Sequence, residues 1–544
     1  TDATATSQTT TNFNWLLEQT LNYSKQFGNH SINALAGWSL QKDDLRGNYA
    51  YASGFISNQI TTLSAGRVTD GTSEQSQWSL ASGIARIQYN YLGKYLLTAS
   101  VRADGSSKFG VNKRWGNFPS ASVGWRLSDE KFMEGVSFIS DLKLRVSYGL
   151  TGNFKIPNYG ALGSMAYFAY VFGNNPPKAV NGAAPTSRPN PNLSWEKTAQ
   201  TNFGLDAGFW SNRLTVSLDY YNSNTKDLLL NVPVPISTGF STELINIGKV
   251  NNRGFEVNIG TSNRFGNLVW NASVNFSTNK NKVIELGPGN ADIINSGSVA
   301  NAYFITRVGE PIGSYFLPKV LGVFATQADV DAYPHFMDAA SNFGLATTKP
   351  GDFKFWDADG DGKINLTSDR TIIGSYQPKY TFGFATDLQW KEFDFSVALQ
   401  GVNGNKILNL GRRYFYNHEG NMNNYAGAVN RWKSESEPGS GKNARANRVG
   451  KGQNGITSSW HVEDGSYLRI RNITLGYALS SSAIERWGIT KTRLYLSLQN
   501  MFTFTKYEGY NPEVSNRSVS TTNGEDYGVY PTAKTISAGI NLTF

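Results

Sequence analysis

The stretch Asp357-Ala358-Asp359-Gly360-Asp361-Gly362-Lys363-Ile364-Asn365 places carboxylates at three alternate positions, a glycine at the tight turn and an apolar anchor after it. An EF-hand-type loop offers oxygen to calcium in this order, with the backbone carbonyl of Lys363 and the side chain of Asn365 completing the early ligands. The twelfth position, where a bidentate acid belongs, holds Ser368, and Asp369 follows one residue later. Two readings stand. One is a bulged or partly liganded Ca2+ loop with Asp369 as its last acid, bracing an external loop; the other is an acidic, glycine-rich turn without metal.

The remaining chemistry-bearing residues do not combine into a catalytic set. His30, His335, His418 and His461 lie in different segments without HxH or HExxH spacing, and the chain has no cysteine, which excludes thiolate metal sites, disulfides and cysteine nucleophiles. Gly439-Ser440-Gly441-Lys442-Asn443 lacks the full glycine spacing and the Ser or Thr after the lysine that a phosphate-binding loop needs. No pair of carboxylates is set up for glycoside hydrolysis, so an enzyme is not expected. Aromatic side chains in the long connecting segments, Tyr167, Tyr170, Tyr414, Tyr416, Tyr425 and Trp460, offer stacking surfaces for a sugar or a flat backbone, and equally the means to pack the loops or a lid.

The elements that would carry these residues are strands. The 544 residues are 39% hydrophobic, 13% aromatic and 17% charged, a composition of neither a disordered chain nor a helical membrane protein. No apolar run approaches the roughly eighteen residues of a membrane helix, whereas a spanning strand needs only about ten with every second one apolar. The formal charge of +9 is scattered, so no nucleic-acid partner is expected; its one basic concentration, Arg412 to Lys451, is expected to be a solvated loop. Thr1 to Thr10 is polar and lacks a basic-then-apolar export signal, which places any such signal upstream or already removed.

Near the end Ile536, Ala538, Ile540, Leu542 and Phe544 alternate with Ser537, Gly539, Asn541 and Thr543, and the same period of two runs through Leu494-Leu496-Leu498, Trp270-Ala272-Val274-Phe276, Leu214-Val216-Leu218-Tyr220, Leu142-Leu144-Val146-Tyr148 and Phe393-Phe395-Val397-Leu399. A soluble sandwich would alternate too. Segments of about nine to twelve residues exceed ordinary globular strands and suit a tilted membrane crossing. Their polar faces carry Lys143, Arg145, Asp219, Asp387 and Asp394, and aromatics crowd their ends at Tyr89, Tyr91, Phe209, Trp210 and Trp390, as a wet lumen and interfacial girdles require. Short turns (Trp210 to Arg213, Phe265-Gly266-Asn267, Trp390-Lys391-Glu392) alternate with long connections (Asn153 to Asn192, Leu286 to Ala302, Gly322 to Tyr376, Leu410 to Trp460). The expected fold is all-β, a transmembrane antiparallel β-barrel contributing about fourteen to sixteen strands, with long extracellular loops.

Several runs in order along the chain resemble the SusC-like (RagA-type) TonB-dependent transporters. They are Lys94 to Phe109 (with Arg102-Ala103-Asp104-Gly105-Ser106-Ser107-Lys108-Phe109), Trp115 to Trp125 (with Trp115-Gly116-Asn117-Phe118-Pro119-Ser120), Leu144 to Asn153, Asn190-Pro191-Asn192-Leu193-Ser194-Trp195-Glu196, Ser237-Thr238-Gly239-Phe240, Asn246-Ile247-Gly248 with Asn252-Arg253-Gly254-Phe255-Glu256, Glu463 to Asn472 and Gln499-Asn500-Met501-Phe502, with Phe544 last. The resemblance implies that residues 1–544 are the C-terminal part of a plugged barrel of about 22 strands, whose plug and N-terminal extension lie outside this chain. It implies import of an oligomeric nutrient, glycan or peptide, across the outer membrane. The implied partners are a SusD-like surface lipoprotein as lid, TonB acting through the N-terminal region, outer-membrane lipid, and a second transporter–lipoprotein pair in a dimer. The competing reading is a passive porin or a structural barrel subunit of a larger assembly. Basic loops fit acidic glycans or peptides and, as well, lipopolysaccharide outside the barrel.

Overall fold

The computed structural model describes residues 3–57, 59–60, 62–173, 178–335, 348–416, 418–420, 422–447, 452–479, 488–514 and 521–544. Among the described residues one sheet has 16 strands, 15 following one another in sequence order and Lys280–Glu285 pairing with Lys249–Phe265 off that path, at the upper end of the expected number. Contacts divide the chain into two units, Thr1–Glu134 with Lys143–Phe203 and Ser223–Lys249, and Gly135–Leu142 with Gly204–Asn222 and Val250–Phe544.

In the first unit the strands Thr4–Phe27, His30–Ser53, Arg67–Tyr91, Tyr95–Ser106, Trp115–Arg126 and the later part of Ile139–Asn153 each pair antiparallel with the next. Their first three members are 24, 24 and 25 residues long, about twice the nine to twelve residues expected. Alternation marks only the part of a strand with one apolar face. The extension Thr4 to Asn12 is polar on both faces and threonine-rich, so it continues the ladder on β-propensity and backbone pairing without leaving a hydrophobic pattern. The run around Asp104-Gly105-Ser106 and the Asn190-to-Trp195 segment meet in a buried cluster of Phe109, Phe118, Leu193 and Trp195, where the indole N–H donates to the Arg114 carbonyl at 2.9 Å.

In the second unit Lys249–Phe265, Leu268–Thr278, Tyr380–Trp390, Phe393–Asn403, Tyr467–Leu479, Lys491–Thr505 and Thr535–Thr543 pair antiparallel in that order. Register is set at tight turns. Phe265 faces Leu268 across Gly266-Asn267, and Gly266 takes φ +60°, the left-handed conformation that a two-residue hairpin needs at its first position. In the second unit the tight turns Gly266-Asn267 and Lys391-Glu392 alternate with the long connections from Thr278 to Tyr380 and from Asn403 to Tyr467, which puts these turns at one edge of the antiparallel strands and these loops at the other.

Burial of the two faces is the reverse of a soluble sandwich. Leu494 and Leu496 are 39% and 43% exposed, while Ser497, on the other face of the same strand, is 8% exposed. Leu97 and Val101 stand out from their strand, whereas Ser82 and Asp104 are buried. A sheet in water would lose about 25 cal/mol for every square ångström of apolar surface left outside; in hydrocarbon the arrangement costs nothing and the packed polar face is the one that must avoid lipid.

The long connections contain their own small sheets. Ile293–Ser296, Tyr303–Thr306, Ser314–Pro318 and Arg370–Gly374 form one, and Lys406–Asn409 with Val462–Asp464 and Glu525–Asp526 another. One apolar cluster gathers Phe304, Tyr315, Leu317, Leu408 and Leu410 on these sheets, and a second gathers Phe353, Phe355, Ile364 and Ile456 at the separate strand pair Val320–Val323 and Phe353–Phe355. Loops with cores of this kind hold fixed shapes.

Leu496→Arg, a charge on the apolar face near mid-strand, is expected to cost about 2–4 kcal/mol of stability in a bilayer. Urea titration of the full-length protein folded in phospholipid vesicles measures this; an unchanged midpoint would mean that the face does not meet lipid.

Candidate functional site

The loop layer of the second unit is held by buried polar groups. Asp352, fully buried, receives Nε and Nη2 of Arg445 at 2.7 and 3.0 Å. Asn454 donates through Nδ2 to Asp352 at 2.8 Å and to Glu419 at 3.0 Å. Burial, the largest influence on Glu419, raises its carboxyl above the usual range. The Glu525 carboxylate accepts the Ser298 backbone N–H at 2.9 Å and its hydroxyl at 2.7 Å. Tyr507 donates to Asp526 at 2.5 Å. Removing one member of a buried ionic pair of this sort costs about 3–5 kcal/mol, because the other is left charged and unpaired.

Arg412 and Arg413 overturn the expectation that the basic stretch is merely a solvated loop. Arg412 lies over the Trp460 ring at 4.3 Å and the Tyr416 ring at 5.6 Å. It donates to the Trp460 carbonyl at 2.7 Å and faces Glu463 at 3.6 Å and Glu508 at 3.5 Å. Arg413 donates to the Ala300 carbonyl and the Thr457 hydroxyl. These contacts reach segments distant in sequence, so no local charge pattern announces them. Lys433 and Glu437, exposed partners 3.2 Å apart, do behave as solvated charges, and Lys451 lies outside the described residues.

Three of the six aromatic candidates converge, and a fourth, Tyr414, packs against a different ring. Tyr416 meets Tyr425 at 5.6 Å and Trp460 at 5.9 Å between ring centroids, and Tyr414 meets Tyr527 at 6.1 Å with its hydroxyl 3.0 Å from the other. Phe415, which sequence reasoning missed, stacks on Tyr425 at 4.6 Å. A cavity of about 50 Å³ opens among Arg412, Phe415, Tyr416, Tyr425, Glu508 and Tyr510. Exposed rings beside fixed charges and amides can stack on a flat or cyclic group and orient its polar atoms. Tyr510 and Tyr527 were legible only as tyrosines in a glycine- and asparagine-rich stretch after the Lys491–Thr505 strand. Tyr167 and Tyr170 belong to the first unit, on the hairpin strand Met165–Phe172, both about two-thirds exposed.

In the acidic loop the carboxylate oxygens of Asp357, Asp359 and Asp361 lie within 4.8 Å of one another, close enough to share a cation whose oxygen ligands sit at about 2.3–2.6 Å. The Ser368 hydroxyl, foremost, and the Asp361 backbone N–H hold the Asp359 carboxyl below the usual carboxylate range, so it is charged at neutral pH. Asp369 has a different geometry: fully buried, it accepts the Ala358 N–H at 2.8 Å and the Asn365 N–H at 2.6 Å, tying the loop's two ends. Asn365 accepts the Thr367 and Ser368 N–H groups through Oδ1, and Lys363 donates its N–H to Asp361.

The chain matches the family model described as TonB dependent receptor-like, beta-barrel, over residues 1–501. It is 36% identical to TonB-dependent receptor P3 of Formosa agariphila across 98% of this chain and 52% of that protein. It is 31% identical to TonB-dependent receptor SusC of Bacteroides thetaiotaomicron across 88% of this chain and 45% of that protein. Among solved structures, that of the RagAB peptide transporter superposes with a TM-score of 0.82 at 25% identity, covering 99% of this chain and 56% of that one. The chain thus spans about half the length of the relatives it matches.

His461 gives the loop layer a pH dependence. It is buried, its Nδ1 accepts the Ser458 N–H at 3.1 Å, and burial, helped by Arg412 and Arg413, lowers it to about 3. An unfolded histidine takes up a proton near 6.5 while the folded one does not, so stability from this residue is complete above that value. It is lost at about 1.4 kcal/mol per unit as pH falls toward 3. Trp460 fluorescence of the full-length protein in urea, followed from pH 7.5 to acid, should show this loss, and His461→Gln should flatten it.

Proposed function

Because the chain belongs to the TonB-dependent receptor-like β-barrel family, as an all-β transmembrane barrel of the outer membrane, we propose that the whole protein imports an oligomeric nutrient, a peptide or a glycan. The energy reaches it through TonB, acting on a coupling segment and plug that precede these strands in the longer polypeptide. A SusD-like lipoprotein closes over the loop face as a lid. The observation that carries this reading is the loop layer itself: connections that a passive pore could leave loose are instead braced by Asp352–Arg445, Glu525–Ser298 and Tyr507–Asp526, with the exposed rings of Phe415 and Tyr425 gathered beside the half-buried Tyr416. A preorganised surface binds at lower ordering cost, which suits capture from dilute solution.

The full-length protein in its outer membrane, offered fluorescently labelled oligopeptides and oligosaccharides in separate assays, is expected to accumulate one class. Uptake should stop when the proton-motive force is collapsed, and Tyr425→Ala should weaken apparent affinity by about 0.5–1.5 kcal/mol, roughly 2- to 10-fold. Uptake that merely equilibrates and survives collapse of the force would favour the passive porin.

The acidic loop is read as a Ca2+ brace on the same external layer, with Asp357, Asp359 and Asp361 supplying charged oxygens that otherwise repel one another within 4.8 Å. Calcium titration calorimetry on the full-length protein should give a bound ion that Asp359→Asn weakens by about tenfold or more; no heat above that of the variant would leave the turn metal-free.

A further inference from the structure

On the strands of the second unit, cross-strand pairing defines which side chains share a face. Val257 faces Phe276, which faces Phe382; Ile259 faces Val274, which faces Phe384. Continuing the alternation toward the loop edge, Tyr220, Phe255 and Thr278 fall on this apolar face, with the rings of Tyr220 and Phe255 4.9 Å apart and the Phe255 N–H donating to the Thr278 hydroxyl at 3.0 Å. At that place a groove of about 790 Å³ opens, lined by Tyr220, Phe255 and Thr278 together with Arg253, Lys280 and Lys379. The three cations are exposed, no carboxylate lines the groove, and none of the three is held by an ion pair among the described residues.

Its height is set by the strand beneath it. From the tight turn at Leu268 to Thr278 the strand takes 11 residues, and steps of about 3.4 Å at a tilt of about 40° rise about 26 Å, close to the roughly 25 Å of an outer-membrane apolar band. The aromatic pair therefore stands at the boundary and the cations just beyond it, on the loop side. A ligand there must present an apolar body to Phe255 and negative charge to Arg253, Lys280 and Lys379. A soluble anion supplies only the second. Cations held at a bilayer surface attract anionic headgroups, and arginine matches phosphate oxygens in particular.

We propose that this groove holds the phosphate-bearing headgroup of an outer-leaflet glycolipid, with Arg253, Lys280 and Lys379 on the phosphate and Tyr220 and Phe255 against the lipid body. The site faces the membrane and lies off the transport path, so it is separate from nutrient capture and does not depend on which nutrient is carried.

Native mass spectrometry of the full-length protein in detergent, with diphosphorylated lipid A and its dephosphorylated counterpart as probes, tests the assignment. The protein should retain the phosphorylated lipid at least about tenfold better, retention should fall with rising salt, and millimolar inorganic phosphate should not displace it. A variant with Arg253→Ser, Lys280→Ser and Lys379→Ser should lose the discrimination, whereas Lys280→Arg should keep it. Equal retention of both lipids by the unaltered protein would reduce the groove to ordinary lipid contact. Displacement by inorganic phosphate would make it a free-anion site, and unchanged discrimination in the triple variant would place the phosphate elsewhere; each result overturns the proposal. Should the triple variant fail to insert, the comparison of the two lipids on the unaltered protein still decides.

Discussion

Inside hydrocarbon a backbone N–H or C=O has no water to bond, and each one left unpaired costs several kcal/mol. That constraint orders everything else in this chain. It favours strands joined to their sequence neighbours in a continuous antiparallel ladder, as in the series from Lys249–Phe265 through Thr535–Thr543. Beyond the hydrocarbon the connections are free to grow, and the chain places its chemistry there.

The second consequence is the reversal of faces. Leu494 and Leu496 lie exposed, while Ser497 between paired strands is buried; only a lipid solvent makes that the stable arrangement. Outside the band the ordinary rules of water return, and the loops must build their own cores to hold a shape. They do so with Phe304, Tyr315, Leu408 and Phe353, and they position Arg412 and Arg445 by buried carboxylates and ring faces. Gly524 shows how closely this is fitted: at φ +86° a Cβ there would lie 2.2 Å from the Tyr315 hydroxyl.

What the sequence revealed followed periodicity. Alternation located the strands and their number because one apolar face repeats every second residue, and the turn at Gly266 was visible because few residues accept its backbone. Strand length escaped in Thr4–Phe27, where both faces turn polar and no pattern remains. The loop site was legible only in part. The acidic loop announces itself within nine residues, from Asp357 to Asn365, but Asp369 reads as a ligand in sequence and acts in the structure on the N–H groups of Ala358 and Asn365. The convergence of Tyr416, Tyr425 and Trp460 spans tens of residues of chain, and the arginines among them bond to groups that no neighbouring residue foretells.

The central claim is that the apolar face of these strands meets lipid and the polar face does not. Residues 1–544 contain no cysteine, so single cysteines at positions 494 to 497 of the full-length protein in bilayers, with any cysteine outside these residues replaced by serine, can carry spin labels without background. Collision with dissolved oxygen should be high at Leu494 and Leu496 and low at Tyr495 and Ser497, with a polar nickel reagent giving no access at the first pair. An absence of alternation, or nickel access at the leucines, would contradict the account.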